Sequence, residues 1–162
     1  MEFVKNVTKS LDISTAQTRV AMAQFSTFSQ VEFDFQFQKE PLYAAIDNVQ
    51  YLAGSTFTGA AIQFVNNNLF SKVREDAKPV LIVLTDGISY DDVRRPSNYI
   101  KRELKGDIFT IGVGNAVRFQ LRQIASQPSP DYMWKDRDWG LLSQIYDDLT
   151  LRMCDLEWEP KT

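Results

Sequence analysis

Pro79-Val80-Leu81-Ile82-Val83-Leu84-Thr85-Asp86-Gly87 joins five consecutive aliphatic residues to a hydroxyl, a carboxylate and a glycine. An apolar run of this length between proline and glycine reads as a strand buried on both faces, which is what a parallel sheet covered by helices requires. The strand delivers Asp86 to its own C-terminal end, and open α/β sheets bind their ligands at that end. Downstream, Asp107 to Val113 has the same character and is followed by Gly114.

Upstream the pattern changes. Arg19 to Phe25 reads as a buried strand, and after Ser26-Thr27-Phe28-Ser29 the residues Val31, Phe33, Phe35 and Phe37 alternate with Glu32, Asp34, Gln36 and Gln38. That alternation predicts a strand with one wet face and its phenylalanines in the core. The short connection makes the two an antiparallel hairpin at one side of the sheet. Phe3, Val4, Val7 and Leu11 fall at helical spacing, so the chain begins in or at the start of an amphipathic helix. Pro41 opens a helix with Leu42, Ile46 and Val49 inward, and Thr58-Gly59 opens another with Ile62, Val65 and Leu69 inward. Ser89 and Asp92 form a capping-box-like start to a helix that Pro96 interrupts or restarts. Val117 to Ala125 reads as a helix and Tyr132 to Trp134 as a short edge strand, while Leu142, Ile145, Leu149 and Met153 mark a closing helix. Alternating strands and helices give an α/β domain over residues 1–154 with a mainly parallel sheet covered on both faces. Residues 155–162 are expected to form a tail, in which Glu157-Trp158-Glu159-Pro160 suggests a continuation.

The 162 residues suffice for one hydrophobic core. With 44% hydrophobic and 24% charged residues, the composition is that of a soluble globular domain, and no apolar run approaches the ~18 residues a membrane span needs. A net charge of -3 argues against a nucleic-acid partner. The basic cluster Arg94, Arg95, Lys101, Arg102 and Lys105 reads as a solvated helix face. There is no histidine, which removes the usual general base and imidazole-dependent zinc sites. Cys154, the single cysteine, is either a buried small hydrophobe or a thiol whose partner is elsewhere. Met1-Glu2-Phe3-Val4 carries no charged-then-apolar leader, so no signal peptide is expected within this stretch. Asn6-Val7-Thr8 fits the N-glycosylation acceptor pattern, which matters if the chain is secreted.

Several motifs agree in order. The opening helix, the Phe25-Ser26 hairpin, Ser55-Thr56-Phe57-Thr58-Gly59, Leu84-Thr85-Asp86-Gly87, Ile111-Gly112-Val113-Gly114, Ile124-Ala125-Ser126-Gln127-Pro128 and the closing helix together resemble a von Willebrand factor A domain. The resemblance covers essentially the whole chain and is nearest to integrin α-subunit I domains and the A domains of matrilins and collagens. It implies a three-layer, Rossmann-like fold with one antiparallel edge hairpin. It also implies a metal-ion-dependent adhesion site at the C-terminal edge of the sheet, where an Asp-x-Ser-x-Ser loop, a threonine and an aspartate hold Mg²⁺, or Mn²⁺ or Ca²⁺, through hard oxygens. Thr56 matches the family's threonine and Asp86 its second aspartate, with Ser55, Thr58 and Gly87 beside them as ligand-contacting positions. On the residues alone, Asp86 is equally a helix-start or turn residue before Gly87, and Ser55 and Thr58 could be caps.

No Asp-x-Ser-x-Ser occurs in the sequence. The family's first, central strand and that loop are therefore expected to be absent, as from an N-terminally truncated domain, and Cys154 sits where the second cysteine of the family's closing disulfide would be. With two of five family positions present, weak or no metal binding is expected. The loss of a central strand leaves two ladder edges open, which invites closure of the gap, a borrowed strand or self-association.

The resemblance implies a non-catalytic, extracellular binding module for cell adhesion or matrix assembly. Its partner would be a collagen or another matrix or cell-surface protein that offers an acidic residue. The competing reading, a nucleotide-binding enzyme with Gly112-Val113-Gly114-Asn115-Ala116-Val117 as its phosphate loop, puts valine at the third glycine position and places the loop late in the chain. A phosphatase built on Asp86 lacks an acid-base partner nearby in sequence.

Overall fold

The computed structural model describes residues 1–156. The described elements are α1 (Glu2–Lys9), β1 (Val20–Phe25), β2 (Ser29–Gln36), α2 (Lys39–Asp47), α3 (Thr58–Asn68), β3 (Val80–Thr85), α4 (Arg94–Arg102), β4 (Asp107–Val113), α5 (Arg118–Ile124), α6 (Ser129–Tyr132), β5 (Met133–Asp136) and α7 (Leu142–Cys154). Short 3-10 turns lie at Phe70–Lys72 and Trp139–Leu141. Glu157-Trp158-Glu159-Pro160, read above as a continuation, falls outside the described residues.

The strands form two sheets. β3, β4 and β5 are parallel, with Val80 opposite Asp107, Thr85 opposite Gly112, and Thr110 opposite Met133. β1 and β2 form the expected antiparallel hairpin, from Val20 opposite Gln36 to Phe25 opposite Ser29, with a register shift around Met22. No ladder joins β1 to β3 among the described residues, so the hairpin and the parallel sheet each end on an unpaired strand edge. Burial follows from this. β4, flanked on both sides, is buried from Ile108 to Val113, whereas β1 is half-buried throughout and β3 is fully buried only at Val83 and Thr85. β1 and β3, each paired on one side only, are thus the incompletely covered strands.

Period-two alternation sorts the core into two layers. Phe109, Ile111 and Val113 of β4, with Val80, Ile82 and Leu84 of β3, pack against Phe3 and Val7 of α1 and Leu142, Ile145 and Leu149 of α7. On the opposite face Val83 and Ile108 meet Ile62 of α3, Ile100 of α4 and Ile124 of α5. Fully burying one such aliphatic side chain stabilises the fold by roughly 1.5–3 kcal/mol. A third cluster, Ile13, Phe33, Leu42 and Ile46, holds the hairpin against α2, with Val4 and Leu11 reaching it from the first helix region. Phe33 is the phenylalanine of β2 that enters this core; Phe37, beyond the strand end, is 43% exposed. No described helix is long and apolar enough to cross a membrane.

One expectation about the basic cluster changes. Arg95, Arg102 and Lys105 are exposed. Lys101 turns inward, and its Nζ donates to the carbonyls of Gln123, Ile124 and Ala125 at 3.0, 3.1 and 3.2 Å. A cation at the last carbonyls of a helix satisfies acceptors that the helix itself leaves open. Burial lowers the Lys101 pKa from its usual value, with a smaller contribution from Arg102 in the same direction.

Candidate functional site

β3 ends in Thr85, and the chain turns at once through Asp86 and Gly87, with Gly87 N–H donating to Thr85 Oγ1 at 3.3 Å. Asp86 is exposed at the C-terminal edge of the parallel sheet. The loop before α3 meets this turn from the side. Tyr90 N–H donates to the Thr56 carbonyl at 3.1 Å, and a Cβ placed on Gly87 would lie 2.5 Å from Thr56 Oγ1. Glycine at 87 is therefore what allows the threonine hydroxyl to approach the turn that carries Asp86. Thr56 and Gly87, 31 positions apart in sequence, come together at this edge.

Ser55 is exposed, and its N–H donates to Thr27 Oγ1 at 3.2 Å, which ties this loop to the hairpin tip. Thr58 is the first residue of α3 and is 2% exposed; its N–H donates to Ser89 Oγ at 2.9 Å. The start of α3 is closed from outside the helix. Asp91 accepts from Gly59 N–H at 2.9 Å and from Ala60 N–H at 2.6 Å, and Ser89 Oγ donates to the same carboxylate at 2.5 Å. Gly59 itself packs so tightly that a Cβ there would sit 2.2 Å from the Asp92 carbonyl oxygen. Gln120 of α5 completes the network: Ser89 N–H donates to its Oε1 at 2.8 Å, and its Nε2 donates to the Ser89 carbonyl at 2.9 Å.

The capping assignment made from sequence is thereby divided. Asp92 does serve the following helix, accepting from Arg94 N–H at 3.0 Å, and Pro96 sits in the first turn of α4 rather than interrupting it. Ser89 serves α3 instead. Asp91 and Gln120 were missed because their partners lie 31 or 32 residues away, and no local spacing announces such a contact. The density of Ser89, Asp91 and Asp92 behind Gly87 was the only available signal.

Thr56 and Asp86 offer two hard oxygen donors. Among the described residues no three His, Cys, Asp or Glu side chains gather as a metal cluster, and the nearby Asp91 carboxylate is engaged by α3. A hard divalent cation takes six or more oxygens. The residues present do not fit a tightly held ion, because most of its shell would have to remain water.

Gly112 lies inside β4, packed against Leu121 and Ala116, and Gly114, with φ 56°, occupies the turn. α5 begins only at Arg118, so this segment does not form a glycine loop running straight into a helix N-terminus. Asn6 lies in α1 and its Oδ1 accepts from Lys9 Nζ at 3.2 Å, while the buried Thr8 hydroxyl donates within the helix to the Val4 and Lys5 carbonyls. Cys154 ends α7 as an exposed free thiol, not as a buried hydrophobe.

The sequence matches the von Willebrand factor type A domain over residues 1–148. It is 35% identical to cochlin from Homo sapiens over 157 residues, which is 95% of this chain and 28% of that protein. It is 34% identical to the collagen alpha-1(XII) chain from Notophthalmus viridescens over 158 residues, 94% of this chain and 17% of the collagen chain. The chain thus spans less than a third of the length of these relatives. Among solved structures, proximal thread matrix protein 1 from the mussel byssus, with a zinc-occupied MIDAS motif, superposes with a TM-score of 0.85 at 25% identity, over 94% of this chain and 39% of that one.

Proposed function

The chain belongs to the von Willebrand factor type A domain family, and on that footing we propose that it is an extracellular protein-binding module for adhesion or matrix assembly. The domain performs no chemistry. Its contact face is the C-terminal edge of the parallel sheet, and the observation that carries this reading is the meeting of Thr56 with the Asp86-Gly87 turn at that edge. Ile88 and Tyr90, 50% and 76% exposed on the same loop, add apolar surface beside the carboxylate. Exposed aromatic and aliphatic side chains around a few polar anchors are what protein interfaces use. A metal-bridged contact, in which a partner's acidic residue completes the ion's shell, needs donors beyond Thr56 and Asp86.

The test is binding of the purified chain to immobilised fibrillar collagen by surface plasmon resonance, with Asp86→Ala and Thr56→Ala alongside. The expected result is saturable binding that both substitutions weaken. Wild-type-like binding by both variants would remove the proposed face, and absence of binding would remove collagen as the partner.

A second reading rests on the unjoined sheets. β1 and β3 each present an unpaired main-chain edge, and such edges pair with other chains. Self-association through them predicts a mass in sedimentation equilibrium that rises with concentration. A monomer across the accessible range would exclude it.

A further inference from the structure

Beyond the Asp86 edge, the C-terminal ends of β4 and β5 frame a shallow cleft of about 380 Å³ lined by Arg118, Lys135, Asp136 and Arg137. It holds three cations and one carboxylate in a protein whose net charge is -3. The cleft is built by main-chain and side-chain latches: Gly114 N–H donates to the Asp136 carbonyl at 3.1 Å, and Lys135 Nζ donates to the Gly114 carbonyl at 3.1 Å. Asp136 Oδ1 accepts from Arg137 N–H at 2.6 Å. The guanidinium groups of Arg118 and Arg137 form no ion pair or hydrogen bond among the described residues. Both are left free to meet an anionic ligand through charge-assisted hydrogen bonds.

The surroundings select the kind of anion. Phe119, adjacent to Arg118, is 67% exposed, and Trp139, two residues beyond Arg137, is 49% exposed. Cations lining one cleft, with exposed aromatic residues one and two positions away in sequence, suit a peptide that alternates carboxylates with apolar side chains. A sulfated polysaccharide is favoured less. Its chain needs a track of cations, whereas these are gathered in one cleft with Asp136 among them.

We propose that the Arg118–Lys135–Arg137 cleft docks an acidic, aromatic-bearing peptide segment of a protein partner. The partner class rests on the binding-module reading; the cleft itself does not depend on Asp86 or on metal.

The probe is a fluorescently labelled random copolymer of glutamate and tyrosine, titrated with the full chain in EDTA and followed by anisotropy. Arg118→Gln/Arg137→Gln is compared with Arg95→Gln/Arg102→Gln, an equal change of charge on exposed α4 residues. Circular dichroism checks that each variant is folded. The expected result is a loss of affinity of about tenfold or more for the first pair, little change for the second, and a steep dependence on salt. Absence of wild-type binding, or equal weakening by both pairs, overturns the proposal. Tighter binding of heparin with the same variant dependence also overturns it, in favour of a polysaccharide. Asp86→Ala is expected to bind the copolymer normally even where it fails to bind collagen, which separates the two sites.

Discussion

Gln120 holds Ser89 by both of that residue's main-chain polar groups, at 2.8 and 2.9 Å, as a strand neighbour would. The contact joins α5 to the loop that follows β3, and through Ser89 Oγ it reaches the first turn of α3. One side-chain amide therefore fixes the position of the loop that leads back to Asp86.

Gln120→Ala removes both bonds and leaves the Ser89 main chain without its partners. We expect a loss of about 1–3 kcal/mol in urea denaturation, the cost of unsatisfied buried polar groups. Hydrogen exchange should accelerate in residues 87–92 in particular. Unchanged exchange there would show that the clamp does not hold the loop.

Asp91 supplies the cap that α3 lacks locally, since Phe57 at the N-cap position makes no side-chain hydrogen bond. Asp91→Ala should destabilise the domain by about 0.5–2 kcal/mol, and Asp91→Asn should retain part of that stability. Denaturation midpoints of the two variants against wild type decide it, and midpoints unchanged from wild type in both would mean that the carboxylate's charge and bonds are irrelevant to α3.

Asp34 of β2 pairs with Lys72 at 2.5 Å, and the Lys72 hydrogen bond, with that of Phe35 N–H, lowers its pKa below 3.8. The unfolded chain then binds a proton more readily than the folded one. The contribution is fully present above pH 3.8 and is lost as pH falls through the lower folded-state value. Wild type and Asp34→Asn should therefore converge in stability in acid and separate above that pH, as seen in thermal melts from pH 2 to 6. Parallel curves would exclude the linkage. The effect is small, because both side chains are about half exposed.

Mg²⁺ or Mn²⁺ should bind weakly or not at all in calorimetric titration. Two protein oxygens cannot offset the dehydration of a hard cation. A micromolar site abolished by Asp86→Ala would overturn this and show that water and partner-free loops complete the shell.

Much of the architecture was legible because it is written in local periodicity. Val80–Thr85 and Asp107–Val113 are strands where the apolar runs placed them, and Ile62, Leu69, Ile145 and Leu149 are buried as their helical spacing required. The hairpin followed from the alternation around Phe33. The pairing of Thr56 with the Asp86-Gly87 turn was legible only through family resemblance, because nothing in either segment points to the other. The inward turn of Lys101 was not legible at all. Its neighbours Arg102 and Lys105 are exposed, and only the carbonyls arriving from α5 distinguish it. Contacts set by tertiary approach, such as Asp91 to Gly59, leave no periodic trace in the chain.

The missing ladder between β1 and β3 gives the domain a mechanical grain. A load that tries to slide β3 past β4 must break a run of main-chain hydrogen bonds together, from Val80 to Thr85. A load that pulls the hairpin away from the parallel sheet meets side-chain contacts through the flanking helices but no such zipper. Under tension the domain should part along that seam, releasing residues 20–36 while the three-stranded sheet stays whole. Force spectroscopy with handles at either side of the seam would register this as an early, low-force step.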